Sequence, residues 1–145
     1  MRLESILSKD EIVRVEAKIG AAESLTTAQI RVALTGSSWM GIRNKARKVF
    51  RKHRLDRSRD RNTVLLLVDV RNRELLIYGD RAIDEKVEAG FWNDVRDAML
   101  DELREKRIAE ALTTGIHQIG TALQDLFPPS GENDDEISNA LIFEP

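Results

Sequence analysis

Residues 61–80 read Arg61-Asn62-Thr63-Val64-Leu65-Leu66-Leu67-Val68-Asp69-Val70-Arg71-Asn72-Arg73-Glu74-Leu75-Leu76-Ile77-Tyr78-Gly79-Asp80. The run at 63–70 is almost continuously apolar, β-branched or leucine-rich, which suits a strand covered on both faces in the middle of a sheet. Arg71, Asn72 and Arg73 give a short polar turn, and 74–78 supplies another strand ended by Gly79 and Asp80. So short a connection makes the two strands an antiparallel hairpin.

Upstream, Ile30, Val32 and Leu34 alternate with Gln29, Arg31, Ala33 and Thr35, the period-two pattern of a strand with one buried face. Gly36, Ser37 and Ser38 form a turn, after which Ile42, Ala46, Val49 and Phe50 mark an amphipathic helix. A helix between the strands at 30–35 and 64–70 makes them parallel by the crossover rule. Earlier still, Ser8 and Glu11 form a capping box ahead of Ile12, Val15, Ile19 and Ala22. Beyond Asp84, Val87, Phe91, Val95, Met99 and Leu103 predict one helix, and Leu112, Ile116, Ile119, Leu123 and Leu126 a second. Phe91 and Trp92 read as core anchors. Pro128 and Pro129 stop the last helix. The expected fold is α/β, a small mixed sheet with helices covering both faces. One domain is expected over 1–129, followed by a polar tail at 130–145 that carries Leu141, Ile142 and Phe143.

With 145 residues, 41% hydrophobic and 33% charged, the chain can bury one core and has the makeup of a globular protein. The absence of cysteine excludes disulfides, thiolate metal sites and a catalytic thiol. Residues 1–10 contain no apolar signal region, and no run reaches the roughly 20 apolar residues that span a bilayer. Neither export nor membrane insertion is expected, and a cytoplasmic location follows as an expectation. The formal net charge of −2 conceals strong polarity. Residues 43–61 carry ten lysines and arginines against Asp56 and Asp60, while the compensating acid lies in 84–110 and 132–136.

The predicted topology gathers the start of the second strand and the end of the third at one edge of the sheet. Gln29, Asp60, Asn62, Asp80 and Asp84 meet there, hard oxygen donors suited to calcium or magnesium. Asp60 and Asn62 are equally turn residues and Asp84 equally a helix N-cap. Asp56, Ser58, Asp60 and Asn62 alternate as in an EF-hand loop, but Arg61 and Leu67 stand where that loop needs glycine and glutamate. The basic 43–61 segment offers a nucleic-acid or other polyanion surface, with Trp39 and Phe50 the only aromatics near it. A solvated helix face explains the same charges. His53 and His117 have no neighbouring nucleophile motif and read as surface or packing residues. No P-loop, GxGxxG or HExxH occurs.

Thr26-Thr27-Ala28-Gln29-Ile30-Arg31-Val32, Arg61-Asn62-Thr63-Val64-Leu65-Leu66 and Ile77-Tyr78-Gly79-Asp80 together resemble the shorter, cytosolic branch of the TPM domain family. So do Phe91-Trp92 with Met99, Leu112-Thr113-Thr114-Gly115-Ile116, Phe127-Pro128 and Asp135-Glu136-Ile137-Ser138. The resemblance implies a three-layer α/β/α sandwich with a Rossmann-like appearance, a calcium-binding tendency found in some members and weak phosphatase activity found in some plant relatives. The chain departs from the family pattern at two places: Gln29 replaces a glutamate and Thr63 a glycine. The first removes a carboxylate, and the second places a β-branched residue where glycine lets backbone approach a ligand. The functional expectation is a non-enzymatic binding domain with a marginal calcium site, acting through a protein partner. Polyanion binding by 43–61 and weak phosphatase activity are the alternatives.

Overall fold

A computed structural model of the chain describes residues 2–130 and 138–145. Residues 131–137, which include the acidic stretch at 132–136 and Asp135, Glu136 and Ile137 of the last family-like segment, lie outside them. The order of elements is α1 (Lys9–Glu23), β1 (Gln29–Thr35), α2 (Ile42–Lys52), β2 (Thr63–Asp69), β3 (Glu74–Gly79), α3 (Arg81–Lys86), α4 (Asn93–Arg104), α5 (Ile108–Leu126) and β4 (Ile142–Glu144).

The four strands form one sheet in the order β3-β2-β1-β4. β1 runs parallel to β2 with Gln29 opposite Thr63, and β2 runs antiparallel to β3 with Val64 opposite Gly79. The parallel pairing of β1 with β2 and the antiparallel pairing of β2 with β3 follow the expected topology. Because side chains alternate across a strand, the two faces feed separate cores. Ile30, Val32, Leu34, Val64, Leu66 and Val68 pack with α1, α4 and α5, whereas Ala33, Leu65 and Leu67 pack with Ala46, Val49 and Phe50 of α2. This is the α/β/α layering that the sequence implies.

α1 begins with the expected capping box: the Glu11 amide donates to Ser8 Oγ at 3.1 Å and the Ser8 amide to Glu11 Oε1 at 2.9 Å. Two glycines permit close approach. A Cβ on Gly79 would stand 2.5 Å from Ile83 Cγ2, and one on Gly115 would overlap Met99 where α4 crosses α5.

The structure corrects three local expectations. β1 is buried on both faces, Arg31 included, because α2 and the turn at Leu55–Arg57 cover the side that alternation assigned to solvent. Helix α4 starts at Asn93, so Val87 and Phe91 lie in the connection after α3, and Phe91 is 39% exposed instead of anchoring the core. Its neighbour Trp92 does pack against the core. Asp84 sits inside α3; the residue capping that helix is Asp80.

Within the C-terminal tail, 142–144 forms β4, parallel to β1 opposite Ala33, Leu34 and Thr35. Above that short pairing, Glu23 Oε2 accepts the Ile30 amide at 2.7 Å, occupying a part of the β1 edge that β4 does not reach.

Candidate functional site

The sheet edge where β2 starts and β3 ends is built from Gln29, Asn62, Arg61 and Asp80. The Gln29 amide donates to the Asn62 carbonyl at 3.2 Å, and the Asp80 amide to the Thr63 carbonyl at 2.9 Å. Arg61 has a left-handed backbone, φ 52°, which turns the chain into β2. Its guanidinium clasps Asp80 with both arms, Nε to Oδ2 at 2.7 Å and Nη2 to Oδ1 at 2.8 Å. The same Oδ1 accepts the Arg81 amide at 2.8 Å and so caps α3. The bond to Asp80 pushes the Arg61 pKa further up.

The structure thus brings Gln29, Asn62 and Asp80 to one corner, as the topology suggested, but commits their polar atoms differently. Asn62 is buried and donates from Nδ2 to the Thr27 carbonyl at 3.2 Å. Asp60 is exposed beside Arg59, 3.6 Å away. Asp84 lies at the surface on α3, where partial burial raises its carboxyl pKa, Arg43 opposes that and nearby Asp80 adds to it. Calcium wants six to eight oxygens, several of them carboxylate. Here the one carboxylate at the centre of the corner already neutralises an arginine, and among the described residues no group of three or more acidic or histidine side chains converges. The donor set does not fit a calcium cage.

What the corner does offer is positive charge. Arg47 and Arg51 of α2 join Arg61, Asp56, Phe50, Tyr78 and Asp80 around a cavity of about 270 Å³. Phe50 and Tyr78 meet edge to face, their ring centres 5.2 Å apart. Ile42, Ala46, Val49 and Phe50 turn inward, which leaves Arg43, Arg47 and Arg51 at four-residue spacing on an exposed face. Among the described residues, neither Arg47, Lys48 nor Arg51 has an ion-pair partner. Like charges at this spacing repel by about 0.2–0.5 kcal/mol per pair. Just ahead of α2, Trp39 is 86% exposed and shares a cavity of about 230 Å³ with Lys45 and Lys48. The sequence placed Trp39 near the cluster; its full exposure follows from the loop at Ser37–Met40, which periodicity does not describe.

The other end of α2 is tethered. Lys52 Nζ and His53 Nε2 approach Glu144 Oε1 at 3.0 and 2.7 Å. His53 is therefore a packing histidine bound to β4, and His117 is exposed on α5. Arg31 is the residue whose surroundings sequence reasoning missed. Only 6% exposed, it has Nε and Nη1 without hydrogen-bond partners, and burial lowers its pKa against the opposing pull of Glu23 and Glu16.

The family model of the TPM domain matches residues 2–122. The chain belongs to the TPM domain family. This TPM domain is similar to the BA42 protein of the psychrophilic bacterium Bizionia argentinensis, with 29% identity, a TM-score of 0.91 and 99% of each chain covered. It shares its fold with the N-terminal domain of a P. gingivalis protein, at 14% identity and a TM-score of 0.70 over 87% of this chain and 82% of that one. The N-terminal domain of a Corynebacterium glutamicum protein gives 14% identity and a TM-score of 0.60 over 89% and 78%. A search of curated proteins finds no match. Among the described residues, no helix of the TPM domain is long and apolar enough to cross a membrane.

Proposed function

We propose that this TPM domain is a non-enzymatic binding domain whose ligand is a phosphate-rich polyanion held on the exposed face of α2. The carrying observation is the stripe Arg43, Arg47 and Arg51, with Lys48 beside it: like charges kept at repelling distance on a helix, with Arg47, Lys48 and Arg51 free of ion pairs among the described residues. Phosphate contacts require charge density more than sequence-specific geometry, and each one releases condensed counterions. Trp39, exposed next to Lys45 and Lys48, adds a stacking surface for an unpaired base. Single-stranded nucleic acid supplies both chemistries. Calcium has no part in this reading, since Arg61 occupies the carboxylate that would lead such a site.

The test is fluorescence anisotropy with labelled single-stranded DNA and with inorganic polyphosphate, at about 50 mM salt, where non-specific binders still hold on. Wild type binds both, and DNA additionally quenches Trp39. Affinity falls linearly on a log–log plot against salt, with a slope near −0.7 per phosphate contacted on a single strand. Reversal of Arg47, Lys48 and Arg51 to glutamate abolishes binding. No binding of either probe by wild type sinks the proposal, and turnover of p-nitrophenyl phosphate would replace it with the phosphatase alternative.

A further inference from the structure

β3 ends the sheet, and its outer edge is open. Which backbone groups face outward follows from one bond. The Asp80 amide donates to the Thr63 carbonyl, so Asp80 and Thr63 are a bonded pair, and bonded pairs alternate with unbonded ones along an antiparallel ladder. Tyr78 and Leu76 therefore turn their amide and carbonyl groups toward β2, whereas Leu75, Ile77 and Gly79 turn theirs away from it. No loop, turn or side-chain hydrogen bond among the described residues reaches those outward groups.

Open edges are normally blunted by proline, inward charges or a covering element. Here the edge lies at the bottom of a groove of about 630 Å³. Ile42 and Arg43 of α2 form one wall, and Val87, Phe91 and Trp92, from the connection between α3 and α4, form the other. The two walls differ in character. Beyond Arg43 the α2 side continues into Arg47 and Arg51, whereas the opposite side presents the half-buried Val87 and the exposed Phe91 ring, with Asp84, Glu88 and Arg96 also lining the groove. Unpaired strand edges bind extended peptides through main-chain hydrogen bonds, and alternate side chains supply specificity.

We propose that this groove takes an extended segment of a protein partner as a fifth strand beside β3. Across the five residues 75–79 the segment would span about 17 Å at the strand rise of ~3.4 Å per residue. Side chains of an added strand point alternately to the two walls. The segment is therefore one in which acidic residues, facing Arg43, alternate with apolar residues facing Val87 and Phe91. A second copy of this chain would have to bring a full sheet with its own flanking helices to the same edge, and it is the competing outcome of the test. The inference does not depend on the polyanion reading, because its main contacts are backbone groups of β3.

The test uses a displayed library of random heptapeptides selected on the full chain, followed by amide hydrogen exchange with a synthetic winner. Winning sequences should show period two, with acid on one phase and apolar residues on the other. The winner should slow exchange at Leu75, Ile77 and Gly79 while leaving the already protected Leu76 and Tyr78 unchanged. N-methylation of the peptide on its pairing edge, which leaves the protein untouched, should weaken binding at least tenfold. Arg43→Glu should weaken it in the same direction, and Ile77→Pro, which removes an outward-facing donor together with a side chain that packs at the core margin, should abolish it. Three results would overturn the proposal: no binder from the library, equal binding by the N-methylated peptide, or concentration-dependent protection of Leu75, Ile77 and Gly79 without peptide. The last would assign the edge to self-association.

Discussion

Asp69 ends β2 fully buried, and its carboxylate organises two loops at once. Oδ2 accepts from Ser38 Oγ at 2.5 Å and from Asn72 Nδ2 at 2.9 Å, while Oδ1 accepts the Arg71 and Asn72 amides at 3.1 and 3.0 Å. Burial alone would raise this carboxyl's pKa, but the donors outweigh it and the net shift is downward. A carboxyl depressed in the folded state stabilises above its unfolded pKa, and that contribution is lost as pH falls through the folded value. Asp69→Ala should therefore cost about 1–3 kcal/mol at neutral pH, the penalty for stranding buried donors, and the deficit relative to wild type should shrink in acid. Urea melts at pH 7 and pH 3 check both points. Arg61 supplies a second prediction at this scale. Since it neutralises Asp80, calcium should shift the melting temperature little in wild type, more in Arg61→Gln and not at all in Asp80→Asn. Equal shifts in all three would place any calcium elsewhere. The sequence identified Gln29, Asn62 and Asp80 as neighbours because topology fixes strand ends. It did not show that Arg61 would reach Asp80, because a guanidinium's partner depends on a left-handed turn that no periodicity encodes.

At the scale of elements, β4 has only three residues, yet Glu144 ties it to α2 through Lys52 and His53. Burial pushes the Glu144 carboxyl up, but hydrogen bonds from His53 and Lys52, with their positive charge, bring it below its ordinary value. By the same sign argument, the attachment of β4 weakens as pH falls through that lowered pKa. Exchange of the Ile142 and Phe143 amides should accelerate in acid before the β1–β2 amides do, and Glu144→Gln should show the faster exchange already at pH 7. Simultaneous loss of both sets would mean that β4 opens only with the whole sheet. The hairpin β2–β3 and the parallel pairing of β1 with β2 were legible in the sequence, because long apolar runs and a three-residue turn leave few alternatives. β4 was not, since three residues carry no periodic signal and the parallel partner of Ile142 lies at Ala33, far back in the chain. The double burial of β1 escaped for a related reason: alternation reports polarity, and Gln29, Arg31 and Thr35 are polar residues held inside by tertiary cover.

For the molecule as a whole, the net charge of −2 hides a basic α2 face and carboxylates spread over α3, α4 and the segment beyond α5. Repulsion along α2 is a local cost that a bound polyanion removes. Polyphosphate should therefore raise the melting temperature of wild type, an effect that fades as salt approaches about 1 M, where the screening length falls to ~3 Å. Reversal of Arg47, Lys48 and Arg51 should eliminate the shift; its persistence would move the binding surface off α2.

β1 also governs the order in which the molecule is assembled. Its neighbour β2 follows one helix later, but β4 comes after α5, and the Leu141 amide that leads into β4 bonds Glu16 across 125 residues of sequence. Contacts of such separation close late, after the loop entropy between them has been overcome. A nascent chain leaving the ribosome can pair β1, β2 and β3 and then must hold the far edge of β1 bare until the final strand emerges. The Glu23 carboxylate on Ile30 comes from the helix made just before β1, so this one cover on that edge is local in sequence and does not wait for β4.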